Sequence, residues 1–412
     1  MVLIRNAALT ALIIVISTVF VLSGCSRPAA PAAAVPVSPT AAPAAQVASA
    51  PTPVPSATAT AAPTPAAPTP LPATPVQATP APTAITPAVP EPQPLAEPME
   101  KSDFLLDTMC SVKVYDNVPK SVLDKAFSKI SEIDKSMSAQ NGASEVSAIN
   151  NAAGKNAVRV SDNTYYVIKR GVHWGELTGG IFDIAIGPIV RLWGIGTDHA
   201  GVPAQQDITD RLPLVNYKNI ILKDSDKSVM LKKSGMSIDL GGIAKGYTAD
   251  AVAQVLKENG VRHAIINLGG NVLVIGGKTD GSNWRIGIQD PFEAHGAYIG
   301  IVEVSDKTVV TSGIYERYFK QNGKIYHHML NPKDGYPFDN SLAGVSIITD
   351  KSVDADGLST SAFGLGLEDG LKFVEGLKGF DAIFITRNSE VYITKGLKGK
   401  FKLTNPDFVL KN

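Results

Sequence analysis

Residues 101–412 predict a mixed α/β fold, α+β in the way its parts follow one another. Apolar residues alternate at period two in some segments and recur every three or four in others, and the two patterns interleave along about 310 residues. Glycine and proline punctuate the boundaries, and no repeat of solenoid period is present. The length suits one elaborated domain.

"FLLDTMCSVKVYD" alternates and reads as a strand, leading into "KSVLDKAFSKISEIDKSMSA", an amphipathic helix. "SEVSAINNAAG" precedes a second helix, "SDNTYYVIKRGVHWGELTGG", whose polar start caps it and whose glycines stop it. "IFDIAIGPIVRLWGIG" embeds an acid in apolar sequence. The run from "ITDR" to "SIDLGG" reads as loop, strand, hairpin and strand, so 237–240 is expected to end a strand before a glycine turn and a helix at 245–258. Five strand-like pieces follow, from "HAIINLGGNVLVIGG" to "LAGVSIITD". "SVDADGLSTSAFGLGLEDGLKFVEGL" supplies a helix and "DAIFITRNSEVYITKGLKGKF" a terminal hairpin.

The first 25 residues stand apart. One arginine, a long apolar run and "LSGC" ending at Cys25 read as a secretory signal, and the ending resembles a bacterial lipobox, which makes Cys25 the expected lipidation site. An uncleaved membrane anchor is the alternative, since the apolar run approaches spanning length. Both place the rest of the chain outside the cytoplasm, at the extracytoplasmic face of a cell membrane. Residues 26–100 are rich in Ala, Pro and Thr and, from Pro28 on, have no aromatic residue or glycine and only Glu91, Glu97 and Glu100 charged. Such a segment buries too little apolar surface to offset its ordering entropy, so it is expected to be a disordered tether with an extended reach on the order of 200 Å.

The chain carries 38 basic and 38 acidic residues and no basic cluster, which argues against a nucleic-acid partner. Two cysteines, Cys25 and Cys110, leave no disulfide framework, and Cys110 in strand-like sequence is expected to be buried and inert.

"SIDLGGIAKGYTAD" sets a glycine turn before a helix and adds Lys245. Backbone N–H groups at a helix start favour phosphate, and the lysine adds a cation. The stretch lacks the Walker ending and the dinucleotide spacing, and alone it is equally a tight structural turn. In "DADGLST", Asp356 and Thr360 are four apart, so on a helix both oxygens point from one face, a pair suited to a hard cation such as Mg²⁺. An N-cap acid beside a solvated threonine is the competing interpretation.

The blocks "MSAQNGASEVSAIN", "GGIFDIAIGPIVRLWGIG", "SIDLGGIAKGYTAD", "INLGGNV", "TSGIYERYF", "HHMLNPKDGYP" and "DADGLSTSAFGLG" occur in one order over 104–412, and together they resemble the ApbE-type flavin transferases. The resemblance implies a T-fold-like core with mixed sheets, and a Mg²⁺-dependent transfer of FMN from FAD to a Thr or Ser hydroxyl of an exported target flavoprotein, releasing AMP. It implies Mg²⁺ on Asp356, Thr360 and the Gly242 carbonyl, and FAD contacts from Gln140, Ile181, Phe182, Asp183, Asp239, Lys245 and His328. His328 or Asp356 is the expected base. The sequence departs from the family pattern at Gln140, where an aromatic residue that packs on adenine is common, at Ala185 in place of threonine, and at Asn331 in place of an acid. Gln140 leaves open an FAD pyrophosphatase that yields FMN and AMP. A flavin-binding lipoprotein without turnover is the reading from outside enzymology.

Overall fold

The computed structural model describes residues 94–412, so the signal, Cys25 and the tether as far as residue 93 lie outside the described residues. The stretch read as one strand is a hairpin, β1 (Pro94–Leu105) and β2 (Thr108–Asp116). Leu106 and Asp107 both turn at φ 55°, the left-handed pair that a two-residue hairpin needs, supplied without the Asn-Gly signal that would have revealed it. Strand β1 thus starts inside the stretch that composition assigns to the tether. Next come α1 (Ser121–Met137), α2 (Glu145–Asn151), β3 (Val158–Arg159) and α3 (Asp162–Leu177). Helix α2 lay in unassigned sequence; Ser144 caps it by accepting the Ser147 N–H at 2.9 Å.

After α4 (Gly187–Trp193), α5 (Gln205–Arg211) occupies part of the expected loop, followed by the hairpin β4 (Ile220–Lys223) and β5 (Ser228–Leu231). Residues 237–240 are extended but are not a strand, a correction to the sequence reading. The Asn150 amide clamps Ile238 at both backbone atoms (2.7 and 3.0 Å), and Asp239 N–H donates to the Ile184 carbonyl at 2.8 Å, so these bonds replace a ladder. Helix α6 (Ala244–Glu258) begins directly after.

The chain continues through β6 (Ala264–Leu268), β7 (Asn271–Ile275), β8 (Trp284–Gln289), β9 (Tyr298–Val304), β10 (Thr308–Gly313), β11 (Tyr318–Gln321), β12 (Lys324–His327) and β13 (Leu342–Thr349). The single helix expected next is two, α7 (Ser352–Leu365) and α8 (Leu367–Gly376), broken at Gly366 where φ is 83°. Strands β14 (Asp381–Thr386), β15 (Glu390–Ile393), β16 (Phe401–Leu403) and β17 (Val409–Leu410) complete it.

Among the described residues one sheet has nine strands in the order β1-β2-β6-β7-β10-β13-β14-β15-β17, antiparallel except at β15–β17. Period-two alternation sorts its side chains. Val112, Ile266, Val310, Ile347 and Phe384 face the helices, while Val274, Val309, Ile348 and Ile383 face a three-stranded sheet of β16, β9 and β8 through Trp284, Ile288 and Val302. Central strand β13 is buried along its whole length for this reason. Cys110 is on the helical face, fully buried, with its thiol pushed up to about 11 by burial, as the sequence leads one to expect.

Candidate active site

Helix α7 carries the acid–hydroxyl pair, and several contacts fix where it lies. Asp250 of α6 caps it by accepting the N–H groups of Ser352 and Val353, both at 3.0 Å. Arg170 of α3 pairs with Asp354, and the Trp174 ring fills the space over Gly357. Helix α6 crosses α7 at Gly246, where an added Cβ would stand 2.1 Å from the Ser352 carbonyl oxygen and 2.8 Å from Asp356 Cβ. The glycine is required by close approach.

That crossing shapes the site. Asp356 is 3% exposed and sits inside the helix, beyond its first turn, which rules out the N-cap interpretation. Its Oδ2 accepts the Gly246 N–H at 2.9 Å, while Oδ1 faces Lys245 Nζ at 3.7 Å. Gly246 is the third residue of α6, so its N–H has no partner within the helix and the Asp356 carboxylate takes it. Among the described residues no N–H is bonded to the carbonyl of Gly242, which stands just before the helix. A Cβ on Gly242 would lie 3.9 Å from Thr360 Oγ1 and 3.2 Å from the Phe182 ring, so glycine, hydroxyl and ring converge. Ser312 at the end of β10 holds Thr360 Oγ1 at 3.2 Å and Ser359 Oγ at 2.8 Å. The Asp356 carboxylate, the Thr360 hydroxyl and the Gly242 carbonyl are oxygen donors of the kind a hard cation takes.

Lys245 is the shared cation of the cleft. It donates to the Gly241 carbonyl at 3.1 Å and its charge acts on Asp239, Glu316 and His328. Asp239, half-buried, accepts the Gly241 N–H at 2.8 Å; burial raises its carboxyl despite the opposing pull of Arg191, Arg317 and Lys245. His328 keeps 32% of its side chain open to solvent, yet burial together with repulsion from Lys245 and Arg317 pushes its imidazole down to about 3. Its Nδ1 lies 3.3 Å from the Arg317 carbonyl, which can only accept, so Nδ1 carries the proton and Nε2 presents a lone pair. His327 is different. It is 3% exposed, hydrogen-bonded to the Phe338 carbonyl at 3.0 Å and packed against Phe363, a core position.

Of the segment 181–183, Phe182 faces Gly242 and Ile181 packs on Gly364 of α7. The Asp183 carboxylate accepts the Ala185 and Tyr217 N–H groups, both at 2.8 Å, and so holds the segment; burial lifts its carboxyl to about 6 all the same. Ala185 is fully buried behind it. Gln140 is exposed on the turn after α1, its N–H on Ser138 Oγ at 3.2 Å, and is not drawn into the cluster. Asn331 closes the loop after β12. It donates to Asp334 at 2.8 Å and accepts the Lys333 N–H at 3.0 Å, and an acid there could not donate to Asp334.

Two residues escaped the sequence reading. Glu316 has its Oε2 3.9 Å from His328 Nε2, and burial with repulsion from Asp356 raises its carboxyl to about 7 against the pull of Lys245 and Arg317. Arg317 reaches from the same turn to the Asp107 carbonyl at 3.2 Å. Their one signal was two adjacent charges inside otherwise apolar "TSGIYERYF".

A helix start, a lysine, oxygen donors and an imidazole stand near one another, and groups of these types suit a phosphorylated ligand. Comparison with known proteins narrows this class. The family model described as "ApbE family" matches residues 106–384. An FAD:protein FMN transferase of Klebsiella pneumoniae (strain 342) is 38% identical over 300 residues, covering 73% of this chain and 93% of that protein, and one of Treponema pallidum (strain Nichols) is 32% identical over 328 residues, covering 76% and 91%. The crystal structure of the ApbE protein from Thermotoga maritima superposes with a TM-score of 0.69 at 31% identity, over 74% of this chain and 99% of that one. The chain belongs to the ApbE family.

Proposed function

We propose that the chain is an FAD:protein FMN transferase, Mg²⁺-dependent, that moves FMN from FAD to a Thr or Ser hydroxyl of an exported flavoprotein and releases AMP. The observation that carries the reading is the closeness of Asp356, Lys245, Gly242 and Thr360 where α6 meets α7. Asp356, Thr360 and Gly242 would hold Mg²⁺, which when bound neutralises charge growing on phosphate oxygens. Lys245 binds the pyrophosphate. Phe182, against Gly242, makes that end of the cleft apolar. His328 is the base: its Nε2 lone pair accepts the proton of the acceptor hydroxyl, the oxygen bonds to the FMN phosphorus, and the bond from that phosphorus to the bridging oxygen breaks with AMP leaving. Asp356 is less suited, since one oxygen already takes the Gly246 N–H.

The protein acts, on this reading, at the outer face of a cell membrane, anchored through lipid on Cys25; release of Cys25→Ser from the membrane fraction tests that part. The activity is tested by incubating the purified protein with FAD and Mg²⁺, with and without an exported flavoprotein, and following AMP and in-gel flavin fluorescence. AMP with a fluorescent acceptor band, both lost in EDTA and restored by Mg²⁺, is expected. AMP with free FMN and an unlabelled acceptor would make the enzyme a pyrophosphatase, and bound FAD without products a flavin carrier.

A further inference from the structure

The site as described has a base that is poorly placed to hold a proton. His328 lies among Lys245, Arg317 and His327, each of which opposes an imidazolium. One carboxylate faces the nitrogen that must take the proton: Glu316, Oε2 to Nε2 3.9 Å. The two residues bound the β11–β12 hairpin, Glu316 just before its first strand and His328 just after its second. Hairpin pairing of Tyr318 with His327 therefore fixes their neighbourhood. The His328 backbone N–H also donates to the Arg317 carbonyl at 3.0 Å, so backbone and ring of His328 are both tied to the residue beside Glu316.

We propose that Glu316 and His328 act as one proton-accepting pair in the transfer, Glu316 supplying the negative charge that lets His328 take the proton of the acceptor hydroxyl. This rests on the transferase reading above. The step balances: the acceptor O–H bond breaks, its electron pair forms the new O–P bond, the proton goes to His328 Nε2, and AMP departs with the electrons of the broken P–O bond. The imidazolium so formed faces the Glu316 carboxylate across 3.9 Å, and the pair, having gained one proton, has no net charge. The raised carboxyl of Glu316 agrees with a group that answers to charge arriving beside it.

The test is a double-mutant cycle on the full protein with FAD, Mg²⁺ and a flavoprotein acceptor, using Glu316→Gln, His328→Asn and the double variant, with Glu316→Asp as the conservative change. FAD affinity is measured separately by quenching of flavin fluorescence. The expected result is that Glu316→Gln keeps FAD affinity within about threefold while kcat falls about 10²-fold, in the range general-base catalysis contributes. The double variant is expected to be no more than threefold slower than His328→Asn alone, because residues that act as a unit are not additive. Glu316→Asp should recover at least tenfold over Glu316→Gln. If the two losses multiply, if Glu316→Gln transfers at the wild-type rate, or if it loses FAD affinity in step with activity and Glu316→Asp loses as much, the pair is overturned and the transferase reading stands. Failure of the wild type to label any acceptor would instead remove the transferase reading, and this proposal with it.

Discussion

Replacing Gly246 with alanine tests the reasoning that joins fold to site. The added Cβ would meet the Ser352 carbonyl oxygen at 2.1 Å and Asp356 Cβ at 2.8 Å, so α6 and α7 must separate. Overpacking of this kind costs about 1–3 kcal/mol. Separation also stretches the 2.9 Å bond from Gly246 N–H to the Asp356 carboxylate, and a hydrogen bond to a charged group contributes about 1.5–3 kcal/mol. Alanine returns at most about 1 kcal/mol of helix propensity. Steric and polar losses win, and the net is a destabilisation of about 2–5 kcal/mol. Urea unfolding followed by tryptophan fluorescence should show the midpoint falling by about 1 M or more at unchanged slope. FAD affinity should fall as well, since Asp356 and the Gly242 carbonyl are set by the same crossing. A midpoint at or above wild type, with FAD binding intact, would refute the account of this crossing.

Asp356→Ala should abolish AMP release, since it removes the anionic member of the donor set, whereas Lys245→Ala should retain the fold and weaken FAD binding about tenfold or more by titration calorimetry. The Asp183 carboxyl stands at about 6 in the fold against about 3.9 unfolded, so the unfolded chain binds fewer protons between these values. The stability its neutral form contributes is therefore full below about pH 4 and is lost as pH rises through about 6, on the order of 3 kcal/mol. Denaturation midpoints of wild type and Asp183→Asn, compared at pH 4 and pH 7, should move by that difference in favour of the variant at pH 7. Native protein should leave Cys110 unreacted with a thiol-specific disulfide reagent at pH 8, with the thiol appearing only on unfolding.

The parts of this fold legible in the sequence are those whose instructions are contiguous. Helices α1, α3 and α6 announce themselves by period, α3 also by its Ser161 cap, and Asp356 and Thr360 could be placed on one face because four residues make one turn. What stayed hidden depends on partners far along the chain. Residues 237–240 look like a strand because they are extended and apolar, but their bonds go to Asn150 and Ile184. The bonds by which the Asp183 oxygens accept the Ala185 and Tyr217 N–H groups, the second thirty-four residues along the chain, could not be read from its motif. Glu316 carried no motif of its own; its importance comes from standing opposite His328. Helix α2, seven residues long, is too short for its period to stand out in the sequence.

The cleft is assembled from the segments around Phe182, Gly242, Ser312, Glu316, His328 and Asp356, drawn from helices, turns and the end of a strand. The stretches around Phe182, Gly242, Ser312 to His328, and Asp356 are far apart in sequence, so a partly folded chain offers the ligand only part of its site. Ligand affinity then serves as an inspection of the finished domain: FAD stabilises the completed fold over every incomplete one, by RT ln(1 + [L]/Kd). A chain with one misplaced segment would be passed over by its own substrate.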